Sequence, residues 1–444
     1  MSERIIIRGG RVIDPAGRFD AVADVLIEDG VVRAVGPKLD ASVAREIDAR
    51  GLVVAPGFID IHTHLRDPGL EYKEDIASGT RAAARGGFTT VCAMPNTQPA
   101  MDTRATVEYV LRRASEAGVV RVLPIGAVSV RREGRALAEL GDLADAGCIA
   151  FSDDGSPVAD ATLMRRALEY ASGLDLPIID HCEDPSLAHD AVMHEGWVST
   201  RLGLRGAPAA AEAAMVERDI ALAAATGGRV HIAHVSTRPA VEGVRRAKAA
   251  GVRVTAEVTP HHLTLDDEIV AFGAAGGDQL LYDTNAKVNP PLRSRDDVDA
   301  CVAGLADSTI DCIATDHAPH AVTEKLCEFD EAAFGISGIE TAFGLSMRLV
   351  QDGRIELPAL IERLTLGAVT ALGLERFAPG IGTLAPGAPA DVVVLDPAHI
   401  WTVEPASFAS KGKNTPLAGV ALTGAVVMTI AGGRLVHESE AQLA

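Results

Sequence analysis

The chain has 444 residues, of which 48% are hydrophobic and 23% charged, close to soluble globular averages, so disordered, collagen-like and mucin-like chains are excluded. Acidic side chains number 61 against 41 basic ones, a net charge of −20, and no arginine pair (Arg112 and Arg113, Arg131 and Arg132, Arg165 and Arg166, Arg245 and Arg246) grows into a basic run. That balance argues against nucleic acid or anionic membrane surfaces as partners.

The elements follow in chain order. Met1 to Gly10 carries Glu3, Arg4 and Arg8 around three isoleucines, too charged for a signal-peptide core. Short strands are predicted at Arg4 to Arg8, Arg11 to Ile13, Asp24 to Glu28 and, after the Asp29-Gly30 turn signal, Val31 to Val35. From Val53 to about Gly373, apolar runs alternate with alanine-rich amphipathic stretches, the βαβα pattern of a parallel sheet. The runs are Ile59 to Ile61, Thr89 to Ala93, Arg121 to Ile125, Cys148 to Phe151, Pro177 to Ile179, Arg229 to Ile232, Arg253 to Ala256 and Ile310 to Ala314. Eight is the number that closes a barrel.

The C-terminal end returns to strands, at Asp391 to Leu395, Ala425 to Ile430 and Arg434 to His437. Asn414 to Gly433 is uncharged and about as long as a membrane span. Its proline, its glycines and its short β-branched runs instead predict two strands around Gly424. Six scattered cysteines with no CxxC fit a reducing, cytoplasmic setting rather than a disulfide scaffold.

Ionisable residues follow the apolar run in most of the eight strands. Strand 1 ends in His62 and His64, strand 4 in Asp153 and Asp154, strand 5 in His181, strand 6 in His234, strand 7 in His261 and His262, and strand 8 in Asp316 and His320. In a barrel these ends converge on one mouth. His62 and His64, two apart on a strand, face the same way, and with the other histidines and aspartates they make a nitrogen and oxygen set suited to zinc, with manganese or cobalt as alternatives. His231, three before His234, is expected on the opposite face as a packed residue, and His261 and His262 in orienting or structural roles. His189, His194, His399 and His437 read as surface or packing residues. Arg66, two beyond His64 and expected on the same face, suits an acidic substrate, because a guanidinium orients a carboxylate through paired hydrogen bonds.

The run from Ala55-Pro56-Gly57-Phe58-Ile59-Asp60 through His62-Thr63-His64-Leu65-Arg66-Asp67-Pro68-Gly69 resembles the cyclic amidohydrolase superfamily and, within it, the dihydroorotase family of the bacterial class I type. Met94-Pro95-Asn96-Thr97, Phe151-Ser152-Asp153-Asp154-Gly155, Asp180-His181-Cys182-Glu183, Ile232-Ala233-His234-Val235-Ser236, Thr259-Pro260-His261-His262-Leu263, Asn289-Pro290-Pro291-Leu292-Arg293 and Ala314-Thr315-Asp316-His317-Ala318-Pro319-His320 continue the likeness along the chain.

The resemblance implies an α/β fold: a distorted (β/α)8 barrel over 58–377, with a small β-sandwich domain formed by 1–57 and 378–444. It implies one or two zinc ions, held by His62 and His64, by His181 and His234, and by Asp154 as the bridge. Asp316 would be a metal ligand and the acid/base. Arg66, Asn96 and His320 would clamp the substrate carboxylate, with Asn289, Phe334 and Gly335 as further substrate contacts. Hydantoinases and allantoinases usually bridge their metals with a carboxylated lysine, and no lysine occurs here from Glu74 to Ala247, so an aspartate takes that place.

The implied reaction is the reversible cyclisation of N-carbamoyl-L-aspartate to L-dihydroorotate, in pyrimidine biosynthesis. A homodimer and an association with aspartate transcarbamoylase are also implied. The alternatives are an allantoinase or hydantoinase type of enzyme, and a catalytically silent subunit of aspartate transcarbamoylase, against which the complete ligand set argues. The segment from His317 to Gly335, rich in loop residues, is a candidate lid.

Overall fold

The computed structural model describes residues 4–40, 45–274, 276–277 and 279–439. All eight predicted barrel runs are strands, with shifted ends. They are strand 1 (Phe58–Thr63), 2 (Phe88–Ala93), 3 (Arg121–Pro124), 4 (Phe151–Ser152), 5 (Ile178–Asp180), 6 (Val230–Ile232), 7 (Val254–Val258) and 8 (Cys312–Ile313). Strands 1 to 3 form one parallel ladder and strands 4 to 8 another. Parallel bridges between Gly126 and Phe151, and between Thr63 and His317, join the two at their C-terminal ends. At the seam between strands 1 and 8 a side chain stands in for ladder bonds. The Asp60 carboxylate accepts from the Thr315 amide at 3.0 Å and from its hydroxyl at 2.5 Å. Burial pushes this carboxyl up to about 6, against the opposing pull of those hydrogen bonds.

The helices between strands form because alanine-rich sequence costs little side-chain entropy and leaves one apolar stripe. Helix Ala209–Thr226 buries Ala211, Met215, Val216, Ile220 and Ala223 on one face. Asp75, Thr103, Asp160 and Thr237 cap the helices that begin at Ile76, Arg104, Ala161 and Arg238, so the loops at the barrel mouth end at fixed positions.

Both chain ends build the outer sheet. Its strand order is Arg434–Glu438, Ala421–Ala431, Val392–Thr402, Val53–Pro56, Arg4–Asp14, Phe19–Glu28 and Val31–Gly36, with Arg45–Asp48 also pairing Arg4–Asp14. Val392 pairs Pro56 and Leu395 pairs Val53, antiparallel, which stitches the two ends together where the chain enters the barrel. The sheet curls over until the Val32 amide reaches Ala388 O at 2.9 Å. Ile5, Ile7, Val25, Ile27, Val54, Val392 and Ile430 fill the sandwich interior.

Two strand predictions are corrected. Arg4 to Arg8 and Arg11 to Ile13 are one strand, Arg4–Asp14, whose register shifts between Ile7 and Gly10. Gly9, with φ +66°, absorbs the bulge that looked like a turn. Gly424 likewise lies inside a single strand, Ala421–Ala431, rather than between two. Its φ is +97° and a Cβ there would meet Met347 Cγ at 2.7 Å, so it marks a bend opposite the irregular pairing at Asp396 to Ile400. Among the described residues no helix is long and apolar enough to cross a membrane. The first three residues of the N-terminal reading, and the last five of the C-terminal one, lie outside the described residues.

Candidate active site

One extra residue in strand 1 decides how its histidines point. Between Asp60 and Thr63 the register against strand 2 slips by one, a bulge that re-aims the side chains beyond it. Ile61 thereby packs in the interior layer with Cys92, Leu123, Ile149 and Ile179, while His62 and His64 both face the mouth. Past the strand ends, Arg66, His234 and Asp316 have φ of +60°, +31° and +46°. Non-glycine residues held in this region cost about 1–3 kcal/mol each, and such strain clusters where side chains must point against the local preference. Arg66 therefore reaches the mouth through a left-handed turn, since the strand stops at Thr63 and alternation does not carry it there.

Asp154 sits at the centre of the histidines. Its Oδ1 is 3.3 Å from His62 Nε2, 3.7 Å from His181 Nδ1 and 3.5 Å from His234 Nε2, and its Oδ2 is 3.6 Å from His64 Nε2. Asp316 Oδ1 lies 2.9 Å from His64 Nε2 and 3.6 Å from His62 Nε2. Tetrahedral bonds of about 2.0–2.1 Å put ligand atoms roughly 3.4 Å apart, so these spacings match the edges of a metal polyhedron. His62 Nε2 and Asp154 Oδ1 are buried with no hydrogen-bond partner among the described residues. A buried orphan of this kind calls for a cation, and the residues present fit one.

Burial works to raise the pKa of both aspartates. The charge of His62 and the crowd of imidazoles outweigh it, holding Asp154 well below the usual range, and the His64 contact with the neighbouring imidazole charges holds Asp316 at about 2. Asp153, the neighbour that sequence alone left open as a ligand, turns away and accepts from the Val128 and Ser129 amides at 2.9 and 3.1 Å.

A cavity of about 190 Å3 opens on this cluster, lined by His64, Arg66, Asn96, Asp154, His181, His234, Asn289, Asp316, His320, Phe334 and Gly335, with Gly155, Val288 and Ala318. Every predicted site residue is in that wall except His62, which lies under it. Arg66 is buried and makes no ion pair among the described residues. Its guanidinium reaches only Pro319 O and His320 Nε2, both at 3.4 Å. Burial brings it down to about 10, so it stays charged at neutral pH. Asn96 Oδ1 accepts from His64 Nδ1 at 2.8 Å, and Asn289 Nδ2 donates to His181 Nε2 at 3.1 Å, so both residues orient a histidine as well as line the wall.

One expectation fails in its geometry. His231 does not face away from the site. It lies in the barrel interior with Nε2 at 3.1 Å from Glu257 Oε2, because His234 lies past the strand end with a positive φ and the alternation count does not extend to it. It remains a packed residue, its Nδ1 on Thr255 Oγ1 at 2.8 Å. His262 is structural, held by Thr259 Oγ1 at 2.8 Å and Pro290 O at 3.0 Å. His194 is buried beside Arg293, whereas His189 and His399 are exposed.

Sequence reasoning missed Glu257. Wholly buried in strand 7, its Oε1 is 2.5 Å from His62 Nδ1, which fixes the proton on Nδ1 and leaves Nε2 free for a metal. The signal was a lone glutamate inside an apolar strand. Glu257→Gln is expected to weaken metal affinity by roughly 10–100-fold, measured by competition with a chromogenic chelator. Unchanged affinity would remove this role.

The chain matches the model of the dihydro-orotase-like family over residues 51–240 and that of the amidohydrolase family over 191–437. It is 55% identical over 439 residues to a protein named dihydroorotase from Anaeromyxobacter sp. strain K, covering 99% of both chains. A protein of the same name from Syntrophus aciditrophicus is 50% identical, with 98% of this chain and 100% of the relative covered. Among solved structures it is similar to the L-hydantoinase of Arthrobacter aurescens, with a TM-score of 0.86, 24% identity and coverage of 99% and 96% of the two chains. The dihydropyrimidinase of Brevibacillus agri NCHU1002 follows at a TM-score of 0.83, 23% identity and coverage of 98% and 95%. These structural likenesses speak for the barrel fold.

Proposed function

The chain belongs to the dihydroorotase family of amidohydrolases, and from that premise we infer that it interconverts N-carbamoyl-L-aspartate and L-dihydroorotate in pyrimidine biosynthesis. One observation carries the substrate class. A buried guanidinium with no carboxylate partner among the described residues, Arg66, opens on the same cavity as the histidine and aspartate cluster. A buried charge needs a counter-charge, and the acid group of dihydroorotate supplies one where neutral hydantoin or uracil-like rings do not.

His62, His64, Asp154 and Asp316 would hold one metal ion, and His181 and His234 a second, with Asp154 between them. Zinc suits this mixture of nitrogen and oxygen donors. When bound, the metal makes a water acidic enough to attack at neutral pH and polarises the ring carbonyl. Asp316 takes the proton of the attacking water and hands it to the ring nitrogen as the amide C–N bond breaks, and the nitrogen leaves as the ureido group of carbamoyl aspartate. In the cyclising direction Asp316 receives the proton of the attacking ureido nitrogen and returns it to the departing oxygen. Arg66, Asn96 and His320 grip the substrate carboxylate and so fix which carbonyl faces the cluster. Asn289 holds His181, while Phe334 and Gly335 form the wall over the ring.

Dialysis against a strong chelator is expected to abolish ring opening of L-dihydroorotate, and added zinc to restore it in step with the ion bound, followed by elemental analysis beside the activity. Recovery that is complete only at two ions per chain supports both sites. Full activity in metal-free protein would overturn this reading.

A further inference from the structure

Two lysines next to the cavity are buried without an anion. Lys287 and Lys325 are 2% and 5% exposed, and neither makes an ion pair among the described residues. Their ammonium groups end on main-chain carbonyls of each other's loop. Lys287 Nζ donates to Phe329 O at 2.8 Å and Asp330 O at 2.9 Å. Lys325 Nζ donates back to Thr284 O at 2.9 Å and Lys287 O at 3.1 Å, and Thr284 Oγ1 donates to Lys325 O at 2.6 Å. The Gly335 amide donates to Lys287 O at 2.9 Å, and Lys287 Nζ lies 4.5 Å from the centroid of the Phe334 ring.

We propose that Lys287 and Lys325 are positioning residues, cross-tying the 283–289 and 324–335 loops so that Phe334 and Gly335 stand at a fixed height over the substrate ring. The proposal rests on the dihydroorotase reading of the cavity and adds the device that sets its far wall. Three physical points support it.

Both loops are nearly free of regular structure, with only single 3-10 turns at Thr284–Ala286 and Val322–Glu324. Their buried carbonyls therefore have no ladder partner and need donors from elsewhere. A hydrophobic pair in the same place would avoid the cost of burying charge, so the ties are specific to the carbonyls. Burial, with the charge of Lys287 alongside, brings Lys325 down to about 7. An amine that has lost one proton still carries two N–H donors, which matches its two acceptors.

The geometry also couples the tie to the chemistry. Lys287 stands two residues before Asn289, which holds His181, and Phe334 O accepts from His320 Nε2 at 2.8 Å. Loss of a tie therefore loosens the wall, the Asn289 contact to His181 and one member of the carboxylate grip, while the metal ligands themselves sit on neither loop.

Lys287→Met and Lys325→Met keep the stem and remove the donors. Steady-state kinetics on L-dihydroorotate are expected to show KM raised about 10-fold or more, with kcat within about 3-fold of the parent and bound metal unchanged. A purely structural role lowers the amount of folded enzyme without moving KM, so unchanged KM in folded protein overturns the proposal, as does a fall in kcat at constant KM. Should the methionine variants fail to fold, Thr284→Val removes one hydroxyl from the same tie without altering charge. It is expected to raise KM about 3-fold, and an unaltered KM overturns the proposal. If the parent enzyme opens a neutral ring in place of L-dihydroorotate, the substrate assignment falls, and the same split between KM and kcat on that ring tests the tie.

Discussion

Asp316→Asn is expected to lower kcat by roughly 10^3-fold or more in both directions, with the protein folded and substrate still bound. Strand 8 ends at Ile313, and the left-handed turn at Asp316 points its carboxylate at His64 Nε2, 2.9 Å away. Burial would favour the neutral acid, but the contact with His64 Nε2 and the neighbouring imidazole charges hold it ionised, at about 2. The residue therefore offers the ionised carboxylate that the proposed proton transfer needs. Asparagine keeps the size and one oxygen but cannot carry a proton, and general acid/base groups of this kind contribute roughly 10^2–10^4-fold. Loss of the proposed metal contact would add to the effect. Kinetics in both directions, with metal content determined on the same sample, check it. A variant that retains metal and a kcat within tenfold would remove Asp316 from proton transfer.

The second large effect is expected at Arg66. Arg66→Leu should cut kcat/KM for L-dihydroorotate by roughly 10^2-fold or more, since a charge-assisted hydrogen bond to a buried anion contributes about 1.5–3 kcal/mol and a guanidinium makes two. Leucine fills the buried site, so folding and metal content should be preserved. Burial, and after it the charge of Arg66, brings His320 down to about 3, so a change at Arg66 is felt at both residues of the proposed grip. Activity on a neutral ring such as dihydrouracil should not fall in parallel. An equal loss on acidic and neutral rings would mean that Arg66 supports the fold or the metal rather than the substrate acid.

Much of this site was legible in the sequence because of where a barrel places its strand ends. His62, His64, Asp154, His181, His234 and Asp316 each follow an apolar run, and such runs end at one mouth whatever the separation along the chain. Period-two counting accounted for His62 and His64, which the bulge turns together. It failed at His231, because His234 lies past the strand end with a left-handed backbone. It reached the right face for Arg66, although a left-handed turn rather than strand alternation puts it there. A left-handed residue has no composition signature.

Glu257 was silent for a different reason. A single acid within Val254–Val258 is read as an interruption of the strand, and its partner His62 is 195 residues away. The same holds for Lys287 and Lys325, whose acceptors are backbone carbonyls and carry no sequence identity at all. In the outer sheet, Gly9 and Gly424 were taken for turns, since a glycine within an apolar run looks the same whether it ends a strand or bends one.

The most direct test of the account is the ratio of kcat/KM for L-dihydroorotate to that for dihydrouracil on the zinc-loaded enzyme. The two rings differ by a carboxylate, the group proposed to pair with Arg66. The account predicts efficient opening of L-dihydroorotate, with dihydrouracil slower by roughly 10^2-fold or more. Comparable turnover of the two, or a preference for dihydrouracil, would contradict it.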